Sequence, residues 1–306
     1  MAGASLMWGL MAPLAKDAMS SGIPGFSMVG IRVIGGTVCF WLASIVYTFI
    51  LKRRHTSADD KQSGAVDFLA DHVGRKELLQ LFGAGMFAIV FNQCNYIVGL
   101  SITSPLNASI MTTTMPIITM VLAALILKEP VTPKKLSGVM LGCLGATTLI
   151  LATAGGTIGG VLLGDIMCIG GQFSYALYLT AFKKVISRHH PITCQKWMMT
   201  SAMVVLLPFI VPALSSLEWQ SLSMLTYAET AFVVVGGTFL SFLFSTMAQQ
   251  ILRPTIIAMY NYMQPITACT VSVLLGLGVF SVFHLVAAIL VFVGVYLVNA
   301  SKAARG

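Results

Sequence analysis

Ten apolar runs, each bounded by polar residues, glycine or proline, follow one another at 2–19, 26–51, 78–100, 105–127, 136–153, 161–182, 192–214, 227–252, 255–277 and 283–300. Most reach the ~20 residues that a helix needs to cross the hydrocarbon core of a bilayer. Backbone polar groups in lipid must be satisfied within their own segment, so runs of this length predict helices and not barrel strands. The first run meets Lys16-Asp17 before it reaches a full span. Either that pair lies inside the first helix, or residues precede Met1. The run has neither the basic start nor the small-residue cleavage site of a signal peptide.

Two of the runs carry a polar patch that ends in proline: Thr112-Thr113-Thr114-Met115-Pro116 and Tyr260-Asn261-Tyr262-Met263-Gln264-Pro265. A second proline precedes each by the same distance, Pro105 and Pro254, so a shift of 149 positions superposes both pairs. The same shift matches Ile102 with Ile251, Ile117 with Ile266, Leu125 with Leu274, Leu136 with Leu285 and Gly145 with Gly294. The chain reads as one five-helix unit written twice, 1–153 and 154–306. Five is an odd number of spans, so the two copies enter the membrane upside-down relative to one another.

Composition adds the membrane and charge adds the sidedness. Hydrophobic residues make up 57% of the chain and charged residues 9%, against roughly 25% charged in a soluble domain. A net charge of +8 in a soluble protein would point to nucleic acid; here its location excludes that. Sixteen of the 18 Lys and Arg fall in alternate loops and the C-terminus, which places those loops and both termini in the cytoplasm. The longest of these loops, 52–77, reads as aqueous with a short surface helix near 67–72. The basic residues are also redistributed between the copies. Arg253 precedes the ninth run where Ser104 precedes the fourth, and Leu277-Gly278 follows the ninth where Lys128-Glu129 follows the fourth. That is how an inverted repeat looks in sequence.

Candidate chemistry lies in the polar groups inside the spans. Pro116 and Pro265 each delete one helical hydrogen bond, freeing the carbonyls of Thr112 and Asn261. Freed carbonyls at membrane depth belong in protein or along a water-filled path; the structural alternative is that threonine hydroxyls cap the kink. Asn92, Gln93 and Asn95 in the third run, Gln249 and Gln250 in the eighth, Gln172, Tyr175 and Tyr178 in the sixth and Trp8 in the first join them. Interhelical hydrogen bonding is the alternative for the amides. Tyr260 and Tyr262 do not share a helical face, and Tyr260, four residues from Gln264, is the better cavity-lining candidate. Arg32 is read as snorkelling outward or pairing with Asp17, with an anionic substrate as the other possibility. Glu129 is expected to pair with a nearby lysine, and no carboxylate reads as a mid-membrane proton relay. The five histidines fall in loops or at span ends without an HExxH motif, and the six cysteines have no CxxC spacing. No metal, cofactor or enzymatic machinery is expected.

Trp8-Gly9, Arg32, Asn92-Gln93, Ser104-Pro105 through Pro116, Lys128-Glu129-Pro130 and Gly138, Gly142 and Gly145 together resemble the EamA-type branch of the drug/metabolite transporter superfamily. Gly164-Asp165, Ala176-Leu177-Tyr178, Arg253-Pro254, Gln264-Pro265 and Gly294-Val295-Tyr296 carry the resemblance through the second copy. It implies an all-α polytopic membrane protein of ten transmembrane helices, two inverted-topology five-helix repeats around a central cavity, cytoplasmic termini and alternating access. The expected activity is secondary transport, outward across the cytoplasmic membrane, of a small polar or amphipathic metabolite, amino acid-like or drug-like. Trp8, Asn92, Asn95, Thr112, Thr113, Tyr178, Tyr260, Asn261 and Gln264 are the expected substrate contacts, with Pro116 and Pro265 as the kinks. The partners are a small-molecule substrate and the lipid bilayer, with no nucleic acid. A lipid translocator or a non-transporting membrane binding protein is the alternative.

Overall fold

The computed structural model describes residues 1–55, 73–102, 111–153, 162–274 and 282–301. The loop helix near 67–72, Pro105 and Leu277-Gly278 lie outside them. All regular elements among the described residues are helical. They are α1 (Ala2–Ser20), α2 (Gly25–His55), α3 (75–102), α4 (Met115–Ile126) and α5 (Pro133–Thr153). Then come α6 (Leu162–Ala181), α7 (Pro191–Ser215), α8 (Met224–Ile251), α9 (Pro254–Tyr260 and Met263–Leu274) and α10 (Val282–Asn299). Among the described residues, five segments are long and apolar enough to cross a membrane: Gly25–Ile50, Arg75–Tyr96, Leu162–Ala181, Pro191–Ser215 and Met224–Ile251. Ala2–Met11, Met115–Ile126 and Leu285–Asn299 are shorter apolar helices. Lys16 and Asp17 lie within α1.

Local chemistry sets the helix ends. Pro191 and Pro254 open α7 and α9, where a missing N–H costs nothing. Ser223 caps α8 by accepting from Thr226 N at 3.1 Å. The tight turn from α1 to α2 passes through Gly22 at φ +116°, a conformation that L side chains rarely adopt. Outward faces stay apolar: Leu42, Ile45, Val46 and Phe49 on α2 are 55–61% exposed. A contiguous exposed stripe of this kind suits lipid, not water.

The offset of 149 recurs in the geometry. Helix α3 runs Arg75–Gly85, a π-helical turn Met86–Phe91, then Asn92–Ile102. Helix α8 runs Met224–Val234, a π-helical turn Val235–Leu240, then Ser241–Ile251, each boundary displaced by 149. Packing pairs repeat in the same sense. α6 lies against α3 and α4 as α1 lies against α8 and α9, and α2–α7, α4–α9 and α5–α10 pack as pairs. The α5–α10 crossing is close enough that a Cβ on Gly294 would stand 2.6 Å from the Gly138 carbonyl oxygen. Small residues let these backbones approach.

The proline motifs prove sharper than kinks. Helix α4 begins at Met115, directly after a turn at Thr113 and Thr114, and α9 is interrupted at Asn261 and Tyr262. The two interruptions meet. The Tyr262 hydroxyl donates to the Thr113 carbonyl at 2.9 Å, a contact between positions separated by 149, hence equivalent in the two copies. Asn261 Nδ2 points at Met115 Sδ from 2.7 Å. Tyr262→Phe keeps the ring and removes one buried hydrogen bond, which predicts a loss of about 1 kcal/mol. Gly142→Ala should cost more, because its Cβ would stand 2.6 Å from the Tyr262 ring and 2.8 Å from Met259 Cε. Thermal unfolding of the two variants checks the order; equal midpoints would remove Tyr262 as the joint between the breaks.

Candidate functional site

Arg32 sits on the eighth residue of α2, about 10 Å along the helix axis. It does not snorkel and does not pair with Asp17. Its Nε donates to Thr238 Oγ1 at 3.1 Å and its Nη1 to Gln93 Oε1 at 3.4 Å, which turns the guanidinium inward between α3 and α8. Thr238 belongs to the π turn of α8, and its own hydroxyl donates to the Val233 carbonyl at 2.9 Å, five residues back. Gln93 follows the π turn of α3 and donates to Asn92 Oδ1 at 3.3 Å; Asn92 donates to the Gly171 carbonyl on α6 at 2.9 Å. A continuous polar chain therefore runs from α8 through α2 and α3 to α6. π turns concentrate at functional sites, and here both of them flank one cation.

A gap of about 10 Å³ adjoins the guanidinium, bordered by Val33, Ile89, Met199 and Phe242. That is room for one water and no more. Next to it runs an aromatic row. Phe242 meets Trp8 edge-on at 5.8 Å, Trp8 meets Tyr175 edge-on at 6.5 Å, and Tyr175 lies 5.4 Å from Tyr178. Trp8 and Tyr178 are buried. Trp8, Tyr178 and Asn92 thus belong to one neighbourhood, joined by Arg32, Gln93, Thr238 and Phe242.

The other expected contacts divide. Asn95 turns back on its own helix, donating to the Phe91 carbonyl at 2.8 Å. Thr113 is buried beside Cys143 and Tyr262. Thr112 is half-buried at the same break. The Asn261 carbonyl is not left open: Gln264 N donates to it at 3.0 Å, while Gln264 Nε2 holds the Asn261 side chain at 3.0 Å. Thr114 Oγ1 likewise caps its own turn through the Met111 carbonyl at 2.6 Å. Tyr260 is half-buried and Tyr262 buried, so of the two Tyr260 is the more accessible. Pro116 and Pro265 open the segments that follow each break.

At the end of the bundle that carries most of the basic residues, polar contacts lace the turns together. Lys135 Nζ lies 2.7 Å from Glu129 Oε2 with both side chains buried, and Thr255 Oγ1 reaches the same oxygen at 3.4 Å. Lys183 Nζ donates to the Leu252 carbonyl at 2.6 Å, and Gln250 Nε2 to the His189 carbonyl at 2.7 Å. Burial pushes the Lys183 ammonium down from its ordinary value; Arg253 acts in the same direction and Glu129 against it. At the opposite end Ala18, Ile23, Met28, Leu217 and Val233 form an apolar cluster.

Sequence reasoning passed over two groups. Thr238 looked like any small polar residue in an apolar run. Glu229, also on α8, is buried with Oε2 unpartnered and faces Asp17 of α1. An ionisable residue inside run 227–252 was the available signal.

Known proteins agree with this architecture. A solved crystal structure superposes with a TM-score of 0.75 over 96% of this chain and 93% of its own, at 16% identity, which is a likeness of fold. An uncharacterized transporter of Bacillus subtilis, YyaM, is 22% identical over 72% of this chain and 73% of its own length. An uncharacterized transporter of Archaeoglobus fulgidus is 26% identical over 49% of this chain and 52% of its own. The model of the EamA-like transporter family matches twice, at residues 1–151 and 162–300. The chain belongs to the EamA-like transporter family, within the drug/metabolite transporter superfamily.

Proposed function

We propose that the chain is a secondary transporter that moves a small polar or amphipathic metabolite outward across the cytoplasmic membrane by alternating access between two inverted halves, 1–153 and 154–306. The observation that carries this reading is the polar chain around Arg32, which lies where α2, α3 and α8 meet and is flanked by the paired π turns. A half-buried cation with neutral partners is costly to keep at membrane depth. In a transporter it becomes the place where cargo is held. The twin helix breaks at Thr113 and Tyr262 supply the second element, a joint between the halves about which they can rock. The distribution of positive charge supports cytoplasmic termini, and on that reading the laced basic end is the inner gate and the cluster around Ile23 and Leu217 the outer one.

The substrate would contact Trp8, Asn92 and Tyr178 first, with Asn95, Thr112, Thr113, Tyr260, Asn261 and Gln264 entering as the halves part. The lipid-translocator reading draws on one observation, an apolar lateral cleft of about 480 Å³ between α1 and α8, bordered by Gly3, Phe244, Met247 and Ile251. Purified protein in liposomes, preloaded with a metabolite panel or with fluorescent phospholipid, separates the two. Time-dependent movement of a soluble metabolite is the expected result. Lipid scrambling alone, or no movement of any compound in either direction, would overturn the proposal.

A further inference from the structure

The charge balance at Arg32 narrows the cargo. Of the five guanidinium N–H groups, the two contacts to Thr238 and Gln93 engage two, and no other partner is recorded among the described residues. Both acceptors are neutral. Glu229, a carboxylate on the same helix as Thr238, is nine residues away, about 14 Å along the axis. Three donors in fork geometry are therefore available to a planar anion, beside the gap that Phe242 borders and Trp8 backs. Nothing among the described residues at this site offers a carboxylate to an ammonium group.

We propose that Arg32 is the anion anchor of the transport site, and that the cargo is an organic monocarboxylate, not a zwitterion, whose apolar body seats against Phe242 and Trp8 once the halves part and widen the one-water gap. This deepens the transport reading and rests on it for the word cargo. A net negative charge on the ligand neutralises the half-buried guanidinium. A zwitterion would satisfy Arg32 and leave its own ammonium among neutral acceptors, at the cost of desolvation without a counter-charge. Binding also has a built-in readout. The carboxylate competes with Gln93 for the guanidinium, and releasing Gln93 loosens the Asn92–Gly171 tie between α3 and α6.

The test uses the full chain in neutral detergent and three probes of one shape: 3-phenylpropanoate, its amide and phenylalanine. Ligand-dependent shifts of the unfolding midpoint give their relative affinities. The carboxylate should bind at least about 10-fold more tightly than the amide or phenylalanine. Arg32→Gln should weaken it about 30-fold, the loss that follows truncation of a hydrogen-bonded charge partner. Should Arg32→Gln fail to fold, two variants keep the charge: Thr238→Val disturbs its aim and should lower carboxylate affinity, whereas Gln93→Leu removes the competing acceptor and should raise it, with the amide shift unchanged in both. Phenylalanine binding as tightly as phenylpropanoate, the absence of a shift with any carboxylate from butanoate upward, or a shift with anionic phospholipid alone would overturn the proposal. Transport of neutral solutes by Arg32→Gln with carboxylate preference absent in the wild type would sink the anchor and leave the transporter standing. Carboxylate binding without any flux would do the reverse.

Discussion

Glu129→Gln lowers the stability of the protein by about 3–5 kcal/mol, because it leaves the Lys135 ammonium buried without a counter-charge. Lys135 is 1% exposed and its partner 7%, and the 2.7 Å contact is the only ion pair recorded for either among the described residues. Charge in such a place survives on its partner. Lys135→Met alone should also be damaging, leaving the carboxylate with the Thr255 hydroxyl as hydrogen-bond donor and Lys183 as the nearby charge. The double variant Glu129→Leu/Lys135→Met should recover most of the loss, since apolar replacement of a whole buried pair is often neutral or stabilising. Thermal unfolding of the four proteins measures the coupling. Additive losses would show that the pair is an ordinary surface bridge. If the basic end is the inner gate, the double variant should also be stable but slow in flux, because the contact spans the α4–α5 turn and the start of α9.

Trp8→Ala is the second large effect, again about 3–5 kcal/mol, from the volume lost in a packed interior. Trp8 is 9% exposed and wedged edge-on between Phe242 and Tyr175. Trp8→Phe should restore most of the stability and so isolate any role in transport. With the fold intact, a raised KM and an unchanged kcat would mark Trp8 as a wall that cargo touches. Unaltered kinetics in Trp8→Phe would reduce it to packing.

How much of this was legible in the sequence depended on the range of the interaction. The duplication was readable because prolines and a handful of identities keep a constant spacing, and the helix boundaries of α3 and α8 follow the same 149-residue offset. The π turns were not. Met86–Phe91 and Val235–Leu240 share no residue at equivalent positions, and an extra residue within a helical turn changes no composition. Arg32 was ambiguous for a related reason. A single arginine two turns into a span looks the same whether it reaches outward or inward, and the groups that decide are 61 and 206 residues away. Glu129 needed only its neighbour six positions on and was read correctly. The break in α9 was placed, but the contact that joins it to its counterpart arises only when the two copies are folded onto each other.

The paired π turns make each long rod behave like a shaft with a slipped tooth. A π turn stores one surplus residue. When it reverts to α geometry, everything beyond it turns by about 100° and advances by about 1.5 Å, with no helix unwound. In α3 that rotation would carry Gln93 away from the guanidinium; in α8 it would sweep Phe242 out from under Trp8. A latch and a wall would then move together through screw motions of two shafts, and the lipid-facing surface of the bundle would scarcely record that anything had turned.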